Sequence, residues 1–333
     1  MPFDVSTLNK TLYLCEEVAL ARAVSRAVLA PCPKPREVVE ARQAILEDAR
    51  LVCSRSLESC GLDHPEELEM AAQGGRHVRA SKGRVAVIPI YGPVDQRYSS
   101  ELGKAGGTPL EAVMASLEAV ENDSAIESVV LHIDSPGGST YGTSEVSDRI
   151  YSMRGKKKMY CSIDSMAASA GYWIASACEL VCITPGGDAG SVGVYCLHVD
   201  QSKALETEGV KVTAVFAGKH KVDGNSWSPL GEDAQGHLQE RVDAIYGRFL
   251  SHLSRNRGLS VDHVRKEFGE GRLFNAKQAM AAGMVDRIIP YAELIARLTG
   301  AGQSKGEKAE TVTPGISTGM LKLRHQHRQR RVA

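Results

Sequence analysis

The feature that most constrains this chain is a strand–helix alternation that begins at Arg84 and runs for about two hundred residues. Val85-Ala-Val-Ile-Pro-Ile90 is a short β-rich run. Leu110, Val113, Met114, Leu117 and Val120 then recur at helical spacing. Ser128-Val-Val-Leu-His-Ile133 reads as a buried strand and ends on Asp134-Ser-Pro-Gly-Gly138. A helix is predicted from Glu145 to Met153, a strand from Met159 to Ile163, and a helix opening near Ser165. Further strands are predicted at Leu180–Thr184, Val192–Leu197 and Val212–Phe216. Leu238, Val242, Ile245, Phe249 and Leu253 mark one face of a long amphipathic helix, and shorter helices follow near Val261 and Ala276. Short connections between alternating elements specify a layered α/β core with a mostly parallel sheet.

The flanks differ from this core. Residues 1–80 read as a helical N-terminal extension divided by Pro31, Pro33 and Pro35, with Val38, Ala41, Ile45 and Leu51 at helical spacing. Residues 81–297 form the α/β domain. Residues 298–333 lose all periodicity and read as a flexible tail ending in Arg328, Arg330 and Arg331, a basic end that is either simply solvated or a grip for an acidic partner or nucleic acid.

Composition narrows the function classes. Forty basic residues balance forty acidic ones and aromatics make up 5%, which disfavours a nucleic-acid-binding core. The eight cysteines include no C-x-x-C pair, and four sit in apolar segments, so buried thiols are expected and no metal site or cofactor. The N-terminus lacks the pattern of a secretory signal, and no apolar run reaches membrane-spanning length. A cytoplasmic protein, or one assembled from the cytoplasm, is the expectation.

Three segments carry candidate chemistry. The glycines of Asp134-Ser-Pro-Gly-Gly138 follow a buried strand and can aim consecutive N–H groups at one oxygen, as an oxyanion requires; a tight turn needing positive φ uses the same residues. In Asp164-Ser-Met-Ala-Ala-Ser-Ala-Gly171, small residues surround Ser169 where a strand hands over to a helix, the setting of a nucleophile elbow and equally of close helix packing. Gly218-Lys-His-Lys-Val-Asp-Gly224 offers lysines, one of which could serve a serine as base if its pKa fell toward neutrality. Each segment alone has this structural alternative.

Taken together and in order, SPGG, MAASAGYWIAS, GSVGV, GKHKVDGNSWSPL and GRLFNAKQAMAAGMVDRI resemble the signal peptide peptidase A family of serine peptidases, over roughly residues 84–290. The HKVDGN stretch is most similar to the family's bacteriophage head-maturation branch. The resemblance implies the ClpP/crotonase fold and a Ser/Lys dyad with Ser169 as nucleophile and Lys221 as general base. It also implies Ser191 as the serine that orients the lysine, and an oxyanion hole at Gly137 and Gly138 joined by the backbone N–H of Ala170. The implied partners are a protein or peptide substrate, with capsid or scaffold protein in the phage setting, and further copies of the chain, since serine and lysine come from neighbouring subunits in some members. The implied location is the host cytoplasm or the prohead.

Other readings use the same residues differently. A Ser-His-Asp triad would draw on His220 or on His132 beside Asp134, although His132 on its apolar strand reads as a core histidine. Acyl-CoA chemistry on a crotonase scaffold would use the glycine turn without a serine nucleophile and would need a placed carboxylate. Cytoplasmic peptide degradation is the alternative within the peptidase class, and a degenerate capsid or scaffold component is the non-enzymatic one.

Overall fold

The computed structural model describes residues 85–299, together with the backbone of two short strands, β1 (Tyr13–Cys15) and β2 (Val78–Arg79). The predicted helical extension and the basic tail otherwise lie outside the described residues. The central strands are β3 (Val85–Tyr91), β6 (Ser128–Ser135), β8 (Lys158–Ala168), β9 (Leu180–Ile183) and β10 (Asp188–Gly190). Short β4 (Val94–Asp95), β5 (Thr108–Pro109) and β7 (Gly137–Ser139) form a separate small sheet with β1. Strands β11 (Leu273–Asn275) and β12 (Arg287–Ile288) complete the main sheet. Its order is β11-β10-β8-β6-β3-β2, with β9 pairing β8 and β12. Pairings among β3, β6, β8, β9 and β10 are all parallel.

The helices are α1 (Ser100–Lys104), α2 (Leu110–Asn122), α3 (Thr143–Met153), α4 (Ala170–Ser176), α5 (Ser202–Thr207), α6 (Glu232–Arg257), α7 (Val261–Glu267), α8 (Ala276–Ala282) and α9 (Tyr291–Thr299). The strands are apolar almost throughout because both faces of the sheet are covered. Alternate residues such as Ile88, Leu131 and Cys161 join one core with α2, α3, α4 and the end of α6. Val85, Val130, Tyr160 and Leu180 face the other side, which α9 closes with Leu294.

Strand β8 positions the site. Its first half pairs β9 (Tyr160 with Leu180 through Ile163 with Ile183), and its last residues pair β10 (Met166 with Asp188 through Ala168 with Gly190). On its other edge the register against β6 slips between Ile133 and Ser135, which face Ile163 and Ala167. The extra residues form a bulge in which Ser165 adopts φ 86°. A bulge bends and twists a strand, and this one re-aims the chain toward Ser169. It also explains why the predicted helix at Ser165 is not there: the strand continues to Ala168, and α4 starts at Ala170.

Helix α4 is anchored by Arg154. Its guanidinium donates to the carbonyls of Ser176, Ala177 and Cys178, which a helix end leaves without partners, and to Asn256 O. Buried Arg257 pairs with Asp286 at 2.7 and 3.1 Å and fastens α6 to the β12 region.

Two predicted strands are corrected. Neither Val192–Leu197 nor Val212–Phe216 forms a strand, and no residue from Gly193 to Arg248 is buried. The long helix is present, but only its C-terminal part, from Ile245, packs its apolar side chains on the body. The β-prone residues of this arm meet no neighbour strand among the described residues.

Candidate active site

Ser169 sits between β8 and α4 with φ 54° and ψ −120°, a conformation that L-residues other than glycine rarely adopt. Its N–H donates to Gly190 O at 2.8 Å, and its carbonyl accepts from Trp173 N at 2.9 Å. The residue is 1% exposed, and its hydroxyl makes no hydrogen bond among the described residues. Small neighbours are required here. A Cβ on Gly171 would lie 3.2 Å from both Cβ and O of Ser135. The strained serine is thus held from three sides: the β8–β10 ladder, the first turn of α4, and the end of β6.

The glycine turn lies against this elbow, since Ser135 pairs with Ala167 and packs on Gly171. Ser135 was not singled out by sequence reasoning, yet its hydroxyl ties the turn together. It donates to Gly92 O at 2.6 Å and accepts from Gly137 N at 3.1 Å. The S of SPGG was the available signal. Gly137 and Gly138 have φ of 100° and 154°. A Cβ on Gly138 would fall 2.1 Å from Val94 O, the residue it pairs with in β4. Close backbone approach, rather than turn propensity alone, explains that glycine.

Ser191 follows β10 and therefore stands next to Ser169, because Gly190 pairs with Ala168. It too has positive φ (54°), and its N–H donates to Arg272 O at 2.8 Å. Ala170 opens α4, where the N–H has no carbonyl one turn back to bond. The structure accordingly brings Ser169, Ala170, Ser191, Gly137 and Gly138 into one region.

Lys221 shares no hydrogen bond or ion pair with them among the described residues. It lies in an exposed turn on the arm, its own N–H bonded to Gly218 O at 3.0 Å, and its ammonium makes no hydrogen bond or ion pair among the described residues. Beside it, His220 pairs with Asp223 at 2.8 Å and stands 3.6 Å from Asp233. These three groups are close enough to share a cation, but all are exposed, and acidic surface groups commonly cluster without one.

His132 is committed elsewhere. Its ring bonds Tyr91 Oη at 2.7 Å and Asp164 Oδ2 at 3.1 Å, and it stacks on Tyr291 of α9 at 3.8 Å. Burial holds its pKa below the ordinary histidine value despite Asp164. Asp134 is shifted upward by burial and then by Asp164. This His–Asp pair makes no contact with the Ser169 hydroxyl, so the structure assembles no triad around that serine.

Among the described residues no helix is long and apolar enough to cross a membrane. The sequence model of Clp protease matches residues 103–184, the segment from α1 through β9, and the fold is ClpP-like. The model of peptidase family S49 matches residues 152–304. The head-tail preconnector protein GP5 of Enterobacteria phage P21 is 32% identical over 229 residues, covering 68% of this chain and 45% of the relative. Capsid assembly protease C of Escherichia phage lambda is 30% identical over 244 residues, covering 70% and 55%. A Synechocystis sp. protein that is named as a protease is 33% identical over 209 residues, covering 63% of this chain and 71% of its own length. The chain thus spans about half the length of the two phage relatives and most of the cyanobacterial one. It belongs to peptidase family S49, the signal peptide peptidase A family.

Proposed function

We propose that this chain is a serine endopeptidase that cleaves peptide bonds through an acyl-enzyme on Ser169, with Lys221 as general base. The observation that carries the reading is the strained backbone of Ser169 beside the positive-φ Gly137-Gly138 turn. Strain of this kind costs of order 1–3 kcal/mol and persists where neighbours enforce it, commonly at reactive positions. An elbow presents the hydroxyl clear of its own strand and helix, so that a carbonyl can approach it.

In this reading neutral Lys221 takes the Ser169 proton as Oγ attacks the peptide carbonyl, forming the C–O bond. The negative charge moves to the carbonyl oxygen. Gly137 N–H is already bonded to Ser135 Oγ and holds the turn, so Gly138 and Ala170 are assigned the oxyanion. Collapse breaks the C–N bond, and the Lys221 ammonium returns the proton to the leaving amine. Water, deprotonated by Lys221, then hydrolyses the ester. Ser191 is assigned to hold the lysine. β7 takes β1 as an antiparallel partner on one edge, Leu14 opposite Gly138, and an extended substrate is assigned the same edge in place of β1.

Because Lys221 stands on the exposed arm of its own chain, the dyad in this reading is completed between neighbouring copies. The phage relatives named for head-tail connection and capsid assembly support a setting in phage or prophage capsid maturation, with capsid or scaffold protein as substrate. The test is a fluorophosphonate probe and a fluorogenic peptide applied to wild type, Ser169→Ala and Lys221→Ala. Labelling of Ser169 and loss of turnover in both variants support the dyad. Undiminished turnover in either variant rejects it. Cleavage of a head protein from the same phage or prophage, but not of casein, would support the capsid setting.

A further inference from the structure

The register slip between β6 and β8 interrupts backbone pairing where the glycine turn and the Ser169 elbow leave the sheet. Ile133 faces Ile163 and Ser135 faces Ala167, so Asp134 alone spans the stretch that Asp164, Ser165 and Met166 occupy on β8. Backbone groups in such a gap need side-chain partners. Two bridges cross it. The Met166 N–H donates to the Asp134 carboxylate, and His132 Nε2 lies 3.1 Å from Asp164 Oδ2. The bridges are themselves anchored on β3 and α9. His132 Nδ1 lies 2.7 Å from Tyr91 Oη, and Tyr291 stacks on the imidazole with the ring planes 6° apart. Tyr91 is fixed in turn by Thr108, whose hydroxyl donates to its carbonyl at 2.8 Å and accepts from its N–H at 2.9 Å. The Gly92 N–H donates to Asp134 O at 2.9 Å. A neutral imidazole satisfies both of its contacts, Nδ1 accepting from the tyrosine and Nε2–H donating to the carboxylate. Burial, the main cause of the lowered His132 pKa, favours that form.

We infer that Asp134 and His132 are positioning residues, whose bridges across the slip set the distance between the Ser169 elbow and the Gly137-Gly138 turn. The inference rests on the reading of Ser169 as nucleophile and of that turn as its oxyanion site. Ser169 follows Met166 by three residues, and Gly138 follows Asp134 by four, so the Asp134–Met166 bond ties the roots of the two halves together. Among the described residues neither Asp134 nor His132 bonds the Ser169 hydroxyl, so both act through the backbone. The β8 side of the tie carries the strain, with φ of 86° at Ser165 and 54° at Ser169. Strained backbone persists only while its surroundings enforce it, and removing a support lets it relax. Reacting groups need placement to within about 0.5 Å, and a misplacement of about 1 Å costs about a hundredfold in rate. The side chain at 134 therefore controls turnover without meeting the substrate.

The test uses the full chain carrying Asp134→Ala, Asp134→Asn or His132→Phe. Asp134 is exposed, so its variants should fold, with far-UV circular dichroism matching wild type. The readouts are kcat and KM on a fluorogenic peptide, and hydrogen exchange by mass spectrometry over residues 164–171. Asp134→Ala should lower kcat by about ten- to a hundredfold and leave KM within about twofold. Asp134→Asn keeps an oxygen that accepts from the Met166 N–H, and should hold kcat within about threefold of wild type. His132→Phe keeps a ring against Tyr291 but loses both hydrogen bonds, and should lower kcat by about tenfold. Exchange over 164–171, which includes the Ser169 N–H bonded to Gly190 O, should quicken in Asp134→Ala and not in Asp134→Asn. Wild-type kcat in Asp134→Ala, equal impairment in Asp134→Asn, or a fall in kcat with unchanged exchange would overturn the proposal. The nucleophile reading is judged separately on Ser169→Ala. If that variant is inactive while Asp134→Ala matches wild type, the reading stands and the positioning role fails. If Ser169→Ala is active, the reading fails, and the tie across the slip stands or falls on exchange alone.

Discussion

Replacing Gly138 by alanine tests the proposed oxyanion turn with a single methyl group. The new Cβ would lie 2.1 Å from Val94 O and 2.8 Å from Val94 N. Carbon–oxygen contacts settle near 3.3 Å, so β4 and β7 must part by about 1.2 Å. Val94–Gly138 is the one register pair between these strands, so no other pair holds them while they move. The φ of 154° adds strain for a side chain, and together these effects should lower stability by roughly 2–4 kcal/mol. A displacement of about 1 Å also takes the Gly138 N–H out of line with the oxyanion. Loss of one such donor costs roughly 3 kcal/mol of transition-state stabilisation, about a hundredfold in kcat. Two controls separate the terms. Gly155 has φ 86° and open space around its missing Cβ, so Gly155→Ala should cost only the left-handed penalty of about 1–2 kcal/mol and leave kcat intact. Gly186 has the same open space but no positive φ, and Gly186→Ala should be neutral within about 0.5 kcal/mol. The assay is kcat on a fluorogenic peptide beside urea unfolding of the same samples. If Gly138→Ala behaves like Gly155→Ala in both, the turn does not receive the oxyanion and the contact argument is wrong.

Ser169→Gly should be more stable than Ser169→Ala by roughly 1 kcal/mol, because glycine tolerates φ 54°, ψ −120°; a thermal melt in which alanine is the more stable would refute the strain. Arg257→Met leaves Asp286 buried without its partner and should cost about 3–5 kcal/mol in urea, while Arg257→Met with Asp286→Leu should recover much of it. Burial pushes the thiols of Cys178 and Cys182 up to about 12 from an ordinary value of 9.0. A raised folded pKa means that their contribution is fully present below pH 9 and is lost as pH rises toward 12, about 4 kcal/mol for each thiol over that window. Alkaline unfolding between pH 9 and 12, delayed in Cys178→Ser or Cys182→Ser relative to their own stability at pH 8, is the expected readout.

How much of this was legible in the sequence depends on the range of the forces involved. Strands β3, β6 and β8 and helices α2 and α3 were readable because their apolar periodicity is local and intense, as in Val129–Ile133. The elbow was readable as a cluster of small residues, but its bulge was not. Ser165 and Ser169 take positive φ because β6, β10 and α4 compel them, and no local propensity in Asp164-Ser-Met-Ala-Ala-Ser169 announces it. Ser135 was passed over because its role depends on two carbonyl-bearing turns brought together from 43 residues apart. The strands expected at Val192–Leu197 and Val212–Phe216 failed for the opposite reason. Their local propensity is genuine, but a strand needs a neighbour strand, and the described residues place none beside them.

That failure and the exposed position of Lys221 share one cause. A propensity for strand, a row of exposed valines and a lysine that makes no ion pair among the described residues are three local choices that disagree with a solitary fold. Natural sequences are consistent across levels, so conflict confined to one arm points to interactions outside the chain. The body shows the contrast. There buried charges and strain find partners within the molecule: Arg154 finds helix-end carbonyls, Arg257 finds Asp286, and the strained Ser169 is braced by Gly190 and Trp173. In the proposed dyad the body holds Ser169 and the exposed arm holds Lys221, so an enzyme divided in this way would be inactive until its copies assemble. Under that proposal, coupling of activity to assembly would follow from where the lysine is attached.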